Sequence, residues 1–359
     1  MRGRPWIIAI SALAVVFVHA CAPKYTTVFF NHSAFNSALR PRVIEWYMET
    51  SGSRAIKAAR VKRVAVPSFQ VEFITRTRAD ERSYLLEVDT AAIEEGRIAY
   101  HLDELESVGL GNIADNAYAA LVDQLKRRGY DVVSATEVSA AEAYGQVKGR
   151  VQSRRGASTL EPKLGTSITY APSGLGVYEA EGAGADADWN RGREAALMKE
   201  LGLDAIVKVH ITVGVVKPDD RDSIFPDNDF YLTLSAGETH CMVHTAERRA
   251  TGVYFLKRPM MTDMNVVTEV TETTGVVDKV TDGIVSFFSM FLGVSTGMHR
   301  EYEAAVNPEG YERAARTHLG VLAEMMADTL PVPLGNTARQ DDIYLRGSAA
   351  YGVVGHETD

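Results

Sequence analysis

The clearest candidates for metal or catalytic chemistry lie in one short segment, His240 to His244. If this segment is a strand, His240, Met242 and His244 share one face and Cys241 points to the opposite face. Two residues four apart on a strand are separated by about 13 Å, too far to bind one metal ion together. A metal site here would need ligands from elsewhere in the chain. Cys241 is interpreted as a small buried side chain or, alternatively, as an intermolecular link.

Two acidic clusters could in principle bind calcium. Asp186 and Asp188 resemble the start of an EF-hand loop, but Arg191 and Leu197 occupy the positions that require Gly and Glu. Capping of the following helix is the better use of the first pair. A loop further along contains five aspartates, which also suits a solvated loop: Asp219, Asp220, Asp222, Asp227 and Asp229. We therefore predict no metal and no other cofactor.

Sequence motifs of common enzymes are missing. The chain has no Gly-x-Ser-x-Gly, phosphate loop or His-Glu-x-x-His. Gly174-x-Gly176 and Gly182-x-Gly184 lack the strand-then-helix setting of a dinucleotide loop. We predict a non-catalytic protein, with no small-molecule substrate evident. The hydrolase alternative would need a nucleophile and a base that the fold brings together.

Cys21 ends an N-terminal export signal. Arg2 and Arg4 precede an apolar run from Trp6 to Val18, which is shorter than the roughly 20 residues of a membrane-spanning helix. The sequence Val-His-Ala-Cys that ends at Cys21 is similar to the lipobox of bacterial lipoproteins, whose cysteine is acylated. The alternative is an ordinary cleaved signal followed by a chance cysteine.

The lipoprotein interpretation predicts a signal peptide at residues 1–20 and a mature chain anchored in a membrane by lipid, including palmitate, on Cys21. Ala22 follows the cysteine where Asp would favour the inner membrane, so by analogy we expect the outer membrane, facing the periplasm. Cleavage removes two arginines and takes the net charge from −9 to −11, which disfavours nucleic acid as a partner. With only two cysteines in the chain, no intrachain disulfide is predicted.

Residues 21–60 are interpreted as a lipidated tether and lead-in, with a short helix at Pro41–Met48. A basic cluster at its end could contact anionic lipid headgroups, or it could simply be the solvated start of a domain: Arg54, Lys57, Arg60, Lys62 and Arg63. Hydrophobic and charged contents of 46% and 24% predict a folded domain, which we assign to residues 61–330.

Strands and helices alternate in the first half of this domain. We predict a strand at Val64–Ile74, at an edge or with a bulge because of Pro67, and a helix from Ile113 that stops at Gly129. A capping box opens a second helix, predicted to run from Ser134 to about Val147. The Gly-rich residues 156–187 are interpreted as an insertion or long loop.

The second half begins with a helix over Trp189–Leu201 that stops at Gly202. The following strand, Leu203–Val216, alternates apolar and polar residues, which predicts one buried face, one solvent-exposed face and an antiparallel neighbour. A turn at Ala236-Gly237 between two apolar segments predicts a hairpin over 230–245, and a further strand follows at Gly252–Lys257.

Residues 275–294 have apolar side chains at helical spacing and could pack in the core or form a contact with a partner or membrane. The candidate contact residues are Ile284, Phe287, Phe288 and Phe291. Asn307 and Pro308 predict the start of a C-terminal helix over residues 307–330, and residues 331–359 are interpreted as an extended tail.

The order of these segments resembles that of the curli-secretion (CsgG-like) lipoproteins, the amino-terminal domain of TolB and the lipoprotein activators of penicillin-binding proteins. The best-matched piece is Leu201-Gly-Leu-Asp-Ala-Ile-Val, similar to a helix–glycine–strand junction of that group. The resemblance implies an α/β sandwich with a mixed, partly antiparallel sheet flanked by helices. It also implies a non-catalytic role: binding an envelope protein or forming a homo-oligomer.

In the curli pore two hairpins of each subunit enter the membrane, so an outer-membrane secretion pore is the alternative function. Neither Gly156–Ala187 nor Met261–Thr274 shows the alternating apolar pattern of such hairpins clearly.

Overall fold

The computed structural model describes residues 29–77, 96–103, 105, 108–147, 152–157, 165–177, 186–216, 230–246, 250–272 and 298–333. Over these ranges the chain is a mixed α/β protein, with helices packed on an open, mostly antiparallel sheet of thirteen strands. The predicted combination of a mixed sheet and flanking helices is confirmed at this level.

The helices are α1 (His32–Phe35), α2 (Arg40–Tyr47), α3 (Ser53–Ala59), α4 (Leu110–Arg127), α5 (Ala135–Ala140), α6 (Tyr144–Val147), α7 (Asp186–Leu201) and α8 (Pro308–Thr329). The strands are β1 (Met48–Ser51), β2 (Arg63–Thr77), β3 (Gly96–Asp103), β4 (Asp131–Val132), β5 (Ser153–Ala157), β6 (Thr166–Tyr170), β7 (Ala205–Val216), β8 (Tyr231–Leu234), β9 (His240–Thr245), β10 (Thr251–Leu256), β11 (Met260–Asn265), β12 (Val267–Glu272) and β13 (Met298–Val306).

Strands β2 and β7 form the centre of the sheet and run parallel, with Val64 opposite Ala205 and Phe73 opposite Val213. Beyond β7 lie β9, β10 and β1 in that order, and beyond β2 lie β3, β13 and β12. The β5–β6 pair and β4 also join β2, while β8 joins β7 and carries β11. Both central strands are rich in β-branched and aromatic residues, which pack well on a pleated surface.

Helices α4 and α8 pack against each other and cover one face of the sheet. Apolar side chains at alternate positions of β2 and β7, such as Phe73 and Val209, meet them in the main core. Five side chains at helical spacing along α8 are buried in this core: Tyr311, Ala315, Leu319, Leu322 and Met326. Both helices are amphipathic and bury their apolar sides in this core.

Helices α5, α6 and α7 form a smaller core on the other face. Ala65 of β2 and Ile206 of β7 pack there against Val138, Tyr144 and Leu197. Because helices lie on both faces, the central strands have no solvent-exposed side.

The helix-end signals in the sequence are confirmed. Gly129 follows α4 with a φ of 93°, Ser134 and Glu137 form the capping box of α5, and the Asn307 side chain accepts from the Gly310 N–H at the start of α8. Helix α2 also matches the helix predicted at Pro41–Met48. These signals are local, so the sequence contains all the information that they need.

The prediction of a solvent-exposed face on the long strand is wrong, because all twelve residues of β7 are buried. Lys208 is covered by Glu194 of α7, and His210 contacts Glu72 of β2. Its polar residues therefore face partners from distant parts of the chain and not water.

The hairpin predicted over 230–245 is also wrong, because β8 and β9 do not pair with each other. Both pair antiparallel with β7: β8 along its second half and β9 along its first half. Residues 235–239 form a turn between them, in which the Thr212 N–H donates to Thr239 Oγ1 and Thr212 O accepts from the Ser235 N–H. Gly237 has a φ of 76°, a conformation that glycine adopts readily, and this allows the chain to turn between the two strands that pair with β7.

Three smaller predictions need correction. The helix expected from Ser134 to Val147 is interrupted, since the backbone N–H groups of Glu142 and Ala143 donate to the Glu200 carboxylate of α7. Residues 156–187 are not simply a loop, because they contain β6, which pairs with β2 and β5. The bulge predicted at Pro67 is confirmed by a register shift, but β2 is a central strand and not an edge.

Candidate functional site

The residues predicted to carry lipid or partner contacts lie outside the part of the chain that the structure describes. They are Cys21, Ile284, Phe287, Phe288 and Phe291. The aspartate loop at 219–229, considered above for calcium, and most of the predicted tail, residues 334–359, also lie outside the described residues. What the structure does define is the place on the sheet from which the segment containing Ile284–Phe291 leaves and returns.

That place is the free end of the β12–β13 pair. The two strands are antiparallel, and Glu272 at the end of β12 lies opposite Tyr302 of β13. The chain therefore leaves β12 and re-enters β13 at the same end of the sheet, so the intervening residues 273–297 are attached there at both ends.

A second antiparallel pair ends at the same place. Strand β2 continues to Thr77, which lies opposite Tyr100 of β3, so residues 78–95 connect two paired strands. The two pairs are neighbours, because β3 and β13 run side by side in parallel, with Gly96 opposite Met298. We call this end of the sheet, where β2 and β12 finish and β3 and β13 begin, the double-hairpin end.

A different constellation lies inside the sheet, on the face covered by α7. The side chains alternate with the core residues of the two central strands, and we call them the buried polar row: Ser68, Gln70 and Glu72 on β2, and Lys208, His210 and Thr212 on β7. In the register of the two strands, Ser68 lies opposite Lys208, Gln70 opposite His210, and Glu72 opposite Thr212. Lys208 Nζ lies 3.1 Å from Glu194 Oε1.

Glu72 is the centre of this row. Its Oε2 atom lies 3.3 Å from His210 Nε2 and 3.4 Å from Thr212 Oγ1, which donates to it. The His210 ring in turn stacks on His240 of β9, with ring centroids 5.7 Å apart. A carboxylate is thus held by two polar groups on the neighbouring strand, an arrangement that limits the cost of burying its charge.

The turn between β8 and β9 adds a second carboxyl group to the neighbourhood. Burial raises the pKa of Glu238 above its ordinary value, while nearby His210 lowers it and Glu72 raises it. The Glu238 carbonyl oxygen lies 2.7 Å from His240 Nδ1. The turn and the start of β9 therefore place His240 and Glu238 beside the buried polar row, since the His240 ring stacks on His210 and the Glu238 carboxyl interacts electrostatically with His210 and Glu72.

The hydrogen bonds of the row join the two central strands. The Thr212 hydroxyl donates to Glu72 Oε2, and His210 Nε2 lies 3.3 Å from the same oxygen. No group of three or more His, Cys, Asp or Glu residues that could hold a metal ion occurs within the described ranges.

Cys241 and its neighbours adopt the predicted alternation. Cys241 is fully buried, with no disulfide, and burial raises the pKa of its thiol to about 12, so its interpretation as a small buried side chain is confirmed. His240, Met242 and His244 are half-buried on the opposite face. A thiol with so high a pKa is a poor nucleophile at neutral pH.

Comparison of the chain with protein-family models, with curated proteins and with solved structures finds no match. Among the described helices, none is both long enough and apolar enough to cross a membrane.

Sequence analysis missed three acidic residues of the interior: Glu72, Glu194 and Glu238. A signal for them was present, because Lys208 and His210 interrupt an otherwise apolar strand and would need partners if buried. Their partners could not be identified, since Glu72 is 138 residues away from His210 along the chain.

Proposed function

We propose that this protein is a lipid-anchored component of the cell envelope, without catalytic activity, that binds an envelope protein or assembles with copies of itself. Cys21 would hold it to the periplasmic side of the outer membrane. The double-hairpin end is the observation that carries the binding part of the proposal. At this end of the sheet β12 finishes and β13 begins, and these are the two strands that the apolar segment containing Phe288 connects.

Several features support a role in contacts. Residues 273–297 include three phenylalanines within five positions, and they connect β12 to β13, in which Glu272 lies opposite Tyr302. Apolar segments at the margin of a folded domain usually mark interaction sites. The second pair of strands, β2–β3, ends beside the β12–β13 pair, with Thr77 opposite Tyr100.

The anchor is tested by metabolic labelling with radioactive palmitate and by fractionation of the envelope. We expect the wild-type chain to incorporate label and to remain with the outer membrane. The Cys21→Ser chain should lose both properties. Unlabelled wild-type protein that is processed and located like Cys21→Ser would refute the anchor.

The contact is tested in the Cys21→Ser background with Phe288→Asp, and Ala195→Asp, at an exposed position of α7, serves as the control for an apolar-to-acidic change on another surface. We expect Phe288→Asp to lower the oligomer mass, or the retention of a partner crosslinked in intact cells, while the far-UV circular dichroism stays unchanged. The control should retain the wild-type mass. A Phe288→Asp chain that unfolds would instead show that the segment is part of the core.

One observation favours the secretion-pore alternative, namely that two antiparallel strand pairs end side by side in the sheet. Of the four strands, β12 lies within Met261–Thr274, one of the two segments considered for such hairpins. Ring-shaped particles of detergent-extracted protein in electron micrographs would support the pore, and a monodisperse monomer would exclude it.

A further inference from the structure

A second surface, on helix α2, has the features of a membrane contact. Leu39, Arg42 and Trp46 are spaced by three and four residues, so they lie on one side of this helix. Leu39 is 49% exposed and Trp46 is 56% exposed, and they are the only exposed large hydrophobic side chains among the residues whose burial the structure describes. We call these three residues, with Arg258, the α2 outer face.

The opposite side of α2 is attached firmly to the body of the protein. Tyr47 is buried, and the Arg40 guanidinium bonds to Asp328 and Glu324 of α8 at 2.7–2.9 Å. The orientation of the helix is therefore fixed, and its outer face is presented to the surroundings as a rigid surface.

The α2 outer face carries positive charge around its tryptophan. The Arg258 guanidinium carbon lies 3.9 Å from the centroid of a Trp46 ring. Arg42, four residues before Trp46, and Lys257, next to Arg258 in the chain, are both exposed. Glu45 is the only acid on α2. Tryptophan flanked by cations is typical of residues at the headgroup level of a bilayer, where an amphipathic ring and basic side chains are both favoured.

The anchor places a bilayer within reach of this surface. Seven residues lie between Cys21 and Phe29, and the eight steps from one Cα to the next span at most about 29 Å when fully extended. The described chain then packs directly onto α2, because the rings of Phe30 and Tyr47 lie 5.3 Å apart. The helix therefore stays close to the membrane that holds the acyl chains.

We propose that the α2 outer face rests in the headgroup region of an anionic phospholipid bilayer, with Trp46 in the interface and Arg42 and Arg258 beside phosphate groups. This inference builds on the proposed function in one respect, since the Cys21 anchor selects which bilayer is contacted. It assigns α2 a second role, in which the orientation of the domain on the membrane is fixed.

The test uses the mature chain with Cys21→Ser, so that no lipid contributes to binding, and vesicles of phosphatidylcholine with or without phosphatidylglycerol. The mature chain contains two tryptophans, Trp46 and Trp189. We expect phosphatidylglycerol vesicles to shift the fluorescence maximum to shorter wavelength, and we expect Trp46→Phe, which keeps Trp189, to abolish that shift.

Charge reversal separates headgroup attraction from general adhesion. Each cation near an anionic surface contributes about fivefold to partitioning, so Arg42→Glu should weaken vesicle binding at least fivefold. Arg313→Glu is the matched control, because Arg313 is exposed on α8, more than ten residues from the α2 contact at Glu324. The control should bind like the parent chain.

The possible outcomes are distinct. Absence of a Trp46-dependent shift, or equal losses for Arg42→Glu and Arg313→Glu, would overturn the inference. So would a Trp46-dependent dimer in sedimentation without vesicle binding, because the face would then contact a second copy. Palmitate labelling without vesicle binding would reject this inference and leave the anchor intact. Vesicle binding that depends on Trp46, without palmitate labelling, would reject the anchor and leave this inference intact.

Discussion

Lys208 and Glu194 place a cation and a carboxylate inside the protein, with side-chain exposures of 8% and 2%. A buried pair of this kind gains little over apolar residues of the same size, but either charge alone would be costly. The pair therefore ties the position of α7 to β7 more than it adds to stability.

Glu194→Ala should lower the free energy of unfolding by about 3–5 kcal/mol, because it leaves the Lys208 ammonium buried without its carboxylate. The double variant Glu194→Leu/Lys208→Met should recover most of that loss. Urea titration of the single and double variants measures both values. Independent, additive effects of the two sites would contradict the coupling.

His318 is the residue from which we expect a clear pH effect. Burial, and secondarily the nearby His32, lowers the pKa of His318 from 6.5 to about 4 in the folded state. The unfolded chain then takes up a proton first as the pH falls. The free energy of unfolding should therefore decrease by about 1.4 kcal/mol per pH unit between pH 6.5 and 4.

His318→Leu should remove this contribution, so its urea midpoint should fall less between pH 7 and pH 4.5 than that of the parent. His101→Gln, at an exposed position, is the control and should keep the parental slope. Equal slopes for parent and His318→Leu would show that other groups dominate.

At the scale of elements, the turn between β1 and α3 depends on one glycine. Gly52 has a φ of 74°, and a Cβ atom there would lie 2.2 Å from the Thr251 carbonyl oxygen of β10. Gly52→Ala should destabilise the fold by about 2 kcal/mol or more, since it combines an unfavourable backbone conformation with a clash against the sheet.

Gly145→Ala is the matched comparison for Gly52→Ala. Gly145 lies in α6, and nothing lies within 4 Å of the position that its Cβ would occupy. This variant should be neutral or slightly stabilising, because alanine reduces the entropy of the unfolded chain. Thermal melts of both variants provide the test, and similar melting points would contradict the prediction.

Elements defined by local chemistry could be predicted from the sequence, whereas their partners could not. Capping by Ser134 and Asn307 and the termination at Gly129 depend on neighbours within four residues. The residues around Gly237 suit the turn of a hairpin as well as a turn between two strands that pair with the same neighbour. Which of these forms depends on β7, with which both β8 and β9 pair. The break between α5 and α6 depends similarly on Glu200.

The same limit applies to the functional regions. Alternation in β7 correctly indicated which residues share a face, but burial of the polar face requires α7 and β2, which are distant in sequence. The outer face of α2 was missed because Leu39 and Trp46 read as ordinary apolar residues until the other side of the helix is known to be buried.

At the scale of the whole molecule, one carboxylate joins the beginning and the end of the described chain. Asp328 of α8 bonds to Arg40 of α2 at 2.7 Å and to Arg128, just after α4, at 2.8 Å. Arg128 also donates to the Leu330 carbonyl oxygen. Three helices that are distant in sequence therefore share a single network of charged hydrogen bonds.

Asp328→Asn should cost about 1–2 kcal/mol, because it weakens two charge-assisted hydrogen bonds that are only partly exposed to water. Hydrogen exchange should rise most in residues 32–47, which Arg40 fastens to the body. Glu312→Gln, which disrupts a surface pair with Arg316, should change stability by less than about 0.5 kcal/mol. A uniform rise in exchange along the chain would contradict this role for Asp328.

The isolation of Cys241 has a practical consequence. In a chain whose Cys21 is replaced or acylated, Cys241 is the sole remaining thiol, and it lies between β7 and β10 with no exposed surface. A thiol-reactive dye can reach it only when these strands separate. The rate of labelling would therefore report, without an engineered probe, how often these strands of the sheet separate.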